Sequence, residues 1–412
     1  MATYLLKTTT FACMKRKFNR TVWVVSFVSL CNDIGSEMLY PIMPIYLRML
    51  GFSAAWIGVV EGLAEAIAGL SKGYFGRQSD AIGRRVPFVR WGYGLSAMSR
   101  PLMAILQFPL WVLAMRSMDR LGKGLRTGAR DAMLADASTP ETRGRVFGFH
   151  RSMDTLGAVI GPLLALAFLY FFPGQYRTLF LWAVVPGAAT FLLTFLLRDA
   201  PPTSPRTDII KPAEILRGFL SYWRRATPEY RRVVGLLLLF TFVNSSDAFL
   251  LLFMKQRGLD DNAIIGCYIF FNLITALLSF PMGMLADRLG HKRITAFGFG
   301  CFAAAYFGFS SDSSIALLVL AWAMYGAYCA ATDGVAKAWV SNLCARKDTA
   351  TAIGSLAAWQ SIMSLIASLW TGIVFTYWGG SVALTLSAAG AILTAIVVLL
   401  LPEKHIRGIL QN

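Results

Sequence analysis

Between Leu110 and Ala135 an otherwise apolar stretch carries Arg116, Asp119, Arg120, Lys123, Arg126, Arg130 and Asp131. Wound as a helix, these charges share an arc of roughly 140°, and Ala114, Met118, Leu121 and Leu125 take the opposite side. Two acidic pairs stand at helical spacing nearby in the chain, Asp33 with Glu37 and Glu61 with Glu65. Like charges on one face repel, and burial disfavours ionisation, so such a pair can hold and release one proton. That is the chemistry of a proton carrier. Asp33 lies deepest in its stretch, and Arg120 is the cation that would oppose its protonation. For Glu61 and Glu65 the alternative is that they only satisfy the cations of the fourth stretch. Candidates to line a polar cavity are Arg100, Arg116, Lys123 and Arg126 in the first half, with Asn244, Asp247, Tyr325, Asp333 and Lys337 in the second. Asp333 and Lys337 are i,i+4, which predicts that they pair with each other. Tyr325 shares a side with Trp322 and Tyr328, for which packing between helices is the alternative.

Charges of this kind need elements that keep them away from lipid. Of 412 residues, 56% are hydrophobic and 15% charged, against about 25% charged in ordinary soluble domains. Apolar runs follow one another at 22–49, 56–75, 87–106, 110–135, 146–172, 179–197, 233–254, 263–285, 294–309, 315–339, 354–377 and 382–401. A bilayer needs about 20 residues of helix, so these read as twelve spans, six before residue 200 and six after 230. Arg151 and Asp154 interrupt the fifth near its start, and His150 falls at its predicted inner end. The formal charge of +17 would suggest nucleic acid for a soluble protein. Here the bases alternate: one set of connectors holds Arg84, Arg85, Arg143, Arg145, Arg288, Lys292, Arg293, Arg346 and Lys347, and the other only Arg48, Arg177, Lys255 and Arg257. That asymmetry predicts both termini in the cytoplasm and contact with membrane lipid, with no nucleic acid partner. No phosphate-binding loop, catalytic motif or metal-ligand spacing appears, so an enzyme, a cofactor and a metal site are all disfavoured.

The chain is also a duplication. GRQSDAIGRRV at 76–86 and GMLADRLGHKR at 283–293 share Gly76/Gly283, Asp80/Asp287 and Gly83/Gly290, each 207 residues apart. Arg130 and Lys337 share the same offset. The reading is an all-α membrane protein with twelve transmembrane helices in two pseudo-symmetric six-helix bundles, 1–200 and 231–412, joined by a cytoplasmic linker at 201–230. A parallel repeat of this type places a substrate site between the halves near mid-membrane.

At these motifs the sequence resembles the major facilitator superfamily. The family's G-x-x-x-D-R/K-x-G-R/K-R/K loop signature is nearly complete as Gly283, Asp287, Arg288 and Gly290, with His291 at the first trailing basic position. The first copy has Gly76, Asp80, Gly83, Arg84 and Arg85, with Ala81 where the family has a base. Arg120-Leu-Gly-Lys123-Gly124 is similar to the family's R-x-x-Q-G, and Gly157, Gly161 and Pro162 to its antiporter-associated G-x-x-x-G-P. The resemblance implies alternating access, with the loop residues as a conformational latch. It implies a functional monomer in a bacterial-type inner membrane, driven by the proton gradient and binding a small-molecule substrate. The antiporter-like signature favours proton-coupled efflux of a small organic solute. The alternative, raised by the cations, is proton-coupled uptake of an anionic, carboxylate-rich metabolite.

Overall fold

A computed structural model describes residues 18–40, 42–43, 46, 54–106, 108–199, 222–244, 250, 253–254, 257–259, 261–311 and 315–400; the side chains of 54–66, 70, 109, 261–262, 264–265, 368–369, 372 and 376 are outside that description. Of the expected linker, only residues from Tyr222 onward fall within it.

The first half holds helices α1 (Arg20–Glu37), α2 (Ala54–Ile82), α3 (Val86–Met103), α4 (Pro109–Asp136), α5 (Arg143–Phe171), α6 (Tyr176–Trp182) and α7 (Val184–Leu193). The second holds α8 (Pro228–Val243), α9 (Asp261–Leu289), α10 (His291–Ser310), α11 (Ile315–Ser341), α12 (Thr349–Trp378) and α13 (Gly380–Leu400). Helices α6 and α7 together form one span, Tyr176–Leu196. The repeat seen in the motifs governs whole helices, since adding 207 to the bounds of α2 gives those of α9. Local signals recur as well, the caps of the first helices one residue out of that register and the glycines within it. Asn19 caps α1 by accepting from the Thr21 amide, and Thr227 caps α8 by accepting from that of Tyr230. Gly83 (φ 68°) and Gly290 (φ 96°) follow α2 and α9 in the left-handed conformation that glycine adopts without a Cβ penalty.

In the first bundle α4 packs on α2 and α3, while α1 packs on α5 and α7; in the second, α10 packs on α11 and α13, and α8 on α12 and α13. The bundles meet where α5 packs on α9 and α11, and α12 on α2 and α4. The outer surfaces carry Leu163, Leu166, Tyr170, Leu192, Leu277 and Leu393, all exposed, which suits lipid rather than water. Six segments among the described residues are long and apolar enough to cross a membrane on composition alone. Helix α4 spans with its charges turned inward. Leu121 is exposed, whereas Arg116, Asp119, Arg120, Arg126, Arg130 and Asp131 are buried, as the arc predicted.

Lipid tails are as apolar as leucine, so helix contacts here depend on close packing rather than on hydrophobic drive. Between the bundles that closeness is set by glycine. A Cβ on Gly283 would run into the carbonyl oxygen of Gly144, and one on Gly148 would lie 3.0 Å from the Cα of Gly283. Overpacking of this kind costs about 1–3 kcal/mol. Gly283→Ala is therefore expected to lower the melting temperature of the purified protein by several degrees. Gly300→Ala, whose added Cβ meets nothing within 4 Å inside α10, should leave it unchanged or raise it slightly, since alanine is the better helix former.

Candidate functional site: a charged cavity between the bundles

A cavity of about 370 Å³ lies where α4 and α5 of the first bundle face α8, α11 and α12 of the second. Ion pairs run through its walls. Asp131, fully buried, holds Arg130 at 2.9 Å and the Nζ of Lys337 at 2.8 Å. Arg130 and Lys337 are the two bases related by the 207-residue repeat, and they converge from opposite bundles on one acid. Arg151 lies 2.6 Å from Asp333 across the gap and 3.2 Å from Asp154 on its own helix. Asp154 also accepts from the Ser29 hydroxyl at 2.6 Å and lies 3.9 Å from Arg130.

The expected Asp333–Lys337 pair is thus corrected: each bridges to the other bundle instead. An i,i+4 ion pair contributes only about 0.3–0.5 kcal/mol. Leaving a buried ion without its partner costs about 3–5 kcal/mol, so fully buried Asp131 draws Lys337 away, and Asp333 takes Arg151 instead. His150 is 4% exposed, lines the same cavity, and neither ring nitrogen has a hydrogen-bond partner among the described residues. Asn244 donates to the Tyr328 hydroxyl at 2.8 Å, and its own side-chain carbonyl oxygen is buried with no hydrogen-bond partner among the described residues.

The other predicted residues divide among three places. Asp33 accepts from Asn32 at 2.8 Å, with Asp154 and Glu37 as acidic neighbours. Glu37, one turn on, accepts from the Tyr268 hydroxyl of the opposite bundle at 3.2 Å and has Lys123, Arg120 and Arg100 around it. Arg100 donates to Asn32 at 3.0 and 2.9 Å and lies 3.4 Å from Asp119. Arg116 and Arg120 approach that acid at 3.8 and 4.0 Å. Arg126 donates to Ser96 at 2.7 Å and sits 4.4 Å over the Tyr93 ring. Arg100, Arg116, Lys123 and Arg126 therefore belong to the interior of the first bundle, off the wall of the described cavity. Tyr325 is buried in an aromatic cluster with Phe271, Trp322 and Tyr328, and of these only Tyr328 reaches the cavity. The side chains of Glu61 and Glu65, and residue Asp247, lie outside the described residues.

Gly157 and Gly161 form a notch in α5 that receives α1. A Cβ at Gly157 would lie 2.7 Å from the Leu30 oxygen, and one at Gly161 2.7 Å from that of Ile34. Pro162 follows, buried, within the same helix. The notch brings Asp33 against α5: the same Cβ on Gly157 would be 2.9 Å from the Asp33 Cβ.

The loop motifs meet the opposite bundle at one end of the molecule. Asp80 accepts from the amide and hydroxyl of Thr351, both at 2.6 Å, at the start of α12. Asp287 accepts from the amides of Gly144 and Arg145, at 2.7 and 2.8 Å, at the start of α5. Gly144 and Thr351 are themselves 207 apart, so this is one contact made twice. A carboxylate here satisfies free N–H groups and the positive end of the helix dipole. Arg85, not Arg84, holds Asp80; Arg84 and Arg288 are exposed. Arg143 adds a further tie, donating to Ser341 at 2.5 Å and Asn342 at 2.8 Å across the bundles.

The sequence reading missed His150, Arg151 and Asp154 as a group. Its signal was present: positions 147, 150, 151 and 154 lie along one helical face, and all four line the cavity.

A duplicated pair of helical bundles, tied at one end around a charged cavity, is the architecture of a solute transporter rather than an enzyme. The chain belongs to the Major Facilitator Superfamily, whose family model matches residues 25–277 and 263–409. An uncharacterized MFS-type transporter of Methanocaldococcus jannaschii is 31% identical over 363 residues, covering 87% of this chain and 89% of that one. A multi-drug resistance efflux pump PmrA homolog of Lactococcus lactis is 23% identical over 283 residues, covering 65% and 67%. The human organic anion transporter MFSD10 superposes with a TM-score of 0.80 at 18% identity, covering 92% and 99%, which is a likeness of fold.

Proposed function

We propose that this transporter exports a small organic solute in exchange for protons, as a monomer in an inner membrane. The observation that carries the reading is the double placement of Asp154. It stands on the cavity wall beside Arg130 and Arg151, and against Asp33 on α1. A proton held between Asp33 and Asp154 weakens the acid's hold on those arginines, so proton and solute compete for one set of ions. The PmrA homolog's name favours export for a relative of this chain. Positive-inside asymmetry turns the tied end, with Arg84, Arg85, Arg143, Arg145, Arg288 and Arg346, to the cytoplasm, and with it both termini. The halves 1–200 and 231–412 then rock about the cavity, and no cofactor is needed beyond the proton gradient.

In cells loaded with labelled solute, export predicts that accumulation rises when the gradient is collapsed, and only where the protein is present. A fall would reverse the direction. It would favour the second reading, uptake of an anionic, carboxylate-rich metabolite, for which Arg151 and Lys337 on the cavity wall are the supporting observation.

The latch role of Asp80 and Asp287 has its own test. Losing a helix cap costs about 0.5–2 kcal/mol, and each 1.4 kcal/mol is about tenfold in an equilibrium. Asp80→Ala with Asp287→Ala, about 1–4 kcal/mol together, should therefore open this end at least about fivefold more often. Half-buried Cys344 is at this end, its thiol 3.5 Å from the Ser341 oxygen, and reports the change. Its alkylation, followed by peptide mass, should accelerate by at least that factor, and an unchanged rate would remove the latch.

A further inference from the structure

The cavity's charges sum to zero, with Arg130, Arg151 and Lys337 against Asp131, Asp154 and Asp333. From this we propose that the solute is a compact zwitterion, carrying a carboxylate and an ammonium close together on an apolar body. The proposal rests on the reading of this cavity as the solute site.

Two of the ion pairs, Arg151–Asp333 and Lys337–Asp131, cross from one bundle to the other, so they must part or be replaced when the bundles separate. Arg151, Asp333 and Lys337 are also the accessible members, with side chains 33%, 40% and 32% exposed. A zwitterion can insert between them and leave every charge with a partner. Its carboxylate receives Arg151 and Lys337, its ammonium faces Asp333, and Asp131 keeps Arg130. An anion would leave Asp333 uncompensated, and a cation would occupy Asp333 and leave Asp131 and Asp154 to serve the three bases Arg130, Arg151 and Lys337. Inside a protein an unpartnered ion is strongly unfavourable.

A second observation points to a guest independently of the charges. His150 is more than nine-tenths buried on the cavity wall, with both ring nitrogens unpartnered among the described residues. The side-chain carbonyl oxygen of Asn244 is likewise buried with no hydrogen-bond partner among them. Buried polar groups are nearly always hydrogen-bonded, so these atoms are built for something that comes and goes. A ring N–H of His150 suits a carboxylate oxygen, and the Asn244 oxygen suits an ammonium N–H. Phe147, Phe240, Phe299 and Leu356 supply an apolar wall for the rest of the molecule. The volume of about 370 Å³ falls in the usual range for small-molecule sites.

The test uses the purified full chain in lipid nanodiscs and three probes that share one body: L-phenylalanine, 3-phenylpropanoate and phenethylammonium. Calorimetric titration should give an affinity for the zwitterion at least tenfold above either singly charged probe. Equal or tighter binding of a singly charged probe overturns the proposal, as does binding of none of the three. Asp333→Asn should weaken the zwitterion at least tenfold while phenylpropanoate gains or holds its affinity, because Arg151 is released. Parallel loss of both would mark Asp333 as a mere brace and overturn the assignment. In proteoliposomes the coupling is read separately. Zwitterion that binds as expected but moves no protons would defeat the exchange reading and leave this one standing.

Discussion

Asparagine in place of Asp131 is expected to leave little folded protein in the membrane. The side chain has no solvent exposure and holds Arg130 at 2.9 Å and Lys337 at 2.8 Å, one from each bundle. Asparagine has the same shape, so the loss is one of charge alone. Buried Arg130 then keeps only Asp154, at 3.9 Å, and half-buried Lys337 faces it with no acid of its own; losing one partner of a buried ion pair costs about 3–5 kcal/mol. Total stabilities are about 5–15 kcal/mol, so the deficit is a large fraction of what holds the chain together. Lys337→Gln alone should be far milder, because Arg130 keeps Asp131 and the lysine side chain is already 32% exposed. The pair Asp131→Asn with Lys337→Gln should recover a good part of the folded yield, since only one cation is left to satisfy, while transport stays absent. Size-exclusion profiles of detergent extracts decide between these outcomes. An Asp131→Asn protein with normal yield and melting temperature would mean that the pair is ornamental.

Much of this arrangement was legible in the chain because duplication and helical periodicity are properties of sequence. The interval between Asp80 and Asp287 carried over to helix bounds, to the left-handed glycines at 83 and 290, and to the paired contacts at Thr351 and Gly144. Periodicity likewise separated the buried side of α4 from Leu121. What periodicity omits is the identity of the neighbour. It places Asp333 and Lys337 on one face, but the acid and base that claim them come from α4 and α5. For the same reason Arg100 and Arg151 look alike as intramembrane arginines. One braces α1 against α3 through Asn32, and the other reaches across the gap. His150 follows the bases Arg143 and Arg145 and reads as the end of a span. Only the packing of α5 on α9 and α11 turns it into a cavity wall.

Asp33→Asn is expected to separate solute binding from proton coupling. Asp33 faces Asp154 across the α1–α5 notch and is not itself on the described cavity wall. Asparagine keeps the size and the hydrogen bond to Asn32 but offers no site for a proton. Uphill transport in proteoliposomes should fall to the level seen without a gradient. Gradient-free exchange of solute should stay within about threefold, because Arg130, Arg151, Asp333 and Lys337 keep their partners; a change below 1 kcal/mol is all that a factor of this size allows. Asp154→Asn should lose both activities, since the same carboxylate steadies Arg151 at 3.2 Å and accepts from Ser29 at 2.6 Å. Arg120→Ala belongs to a different class. It lies by Asp119 and Glu37 inside the first bundle, so its loss should appear in the melting temperature before it appears in the gradient dependence. If Asp33→Asn protein still accumulates solute against its gradient, and still responds when the gradient is collapsed, the proton travels by another route and the Asp33–Asp154 pair is only part of the helix contact.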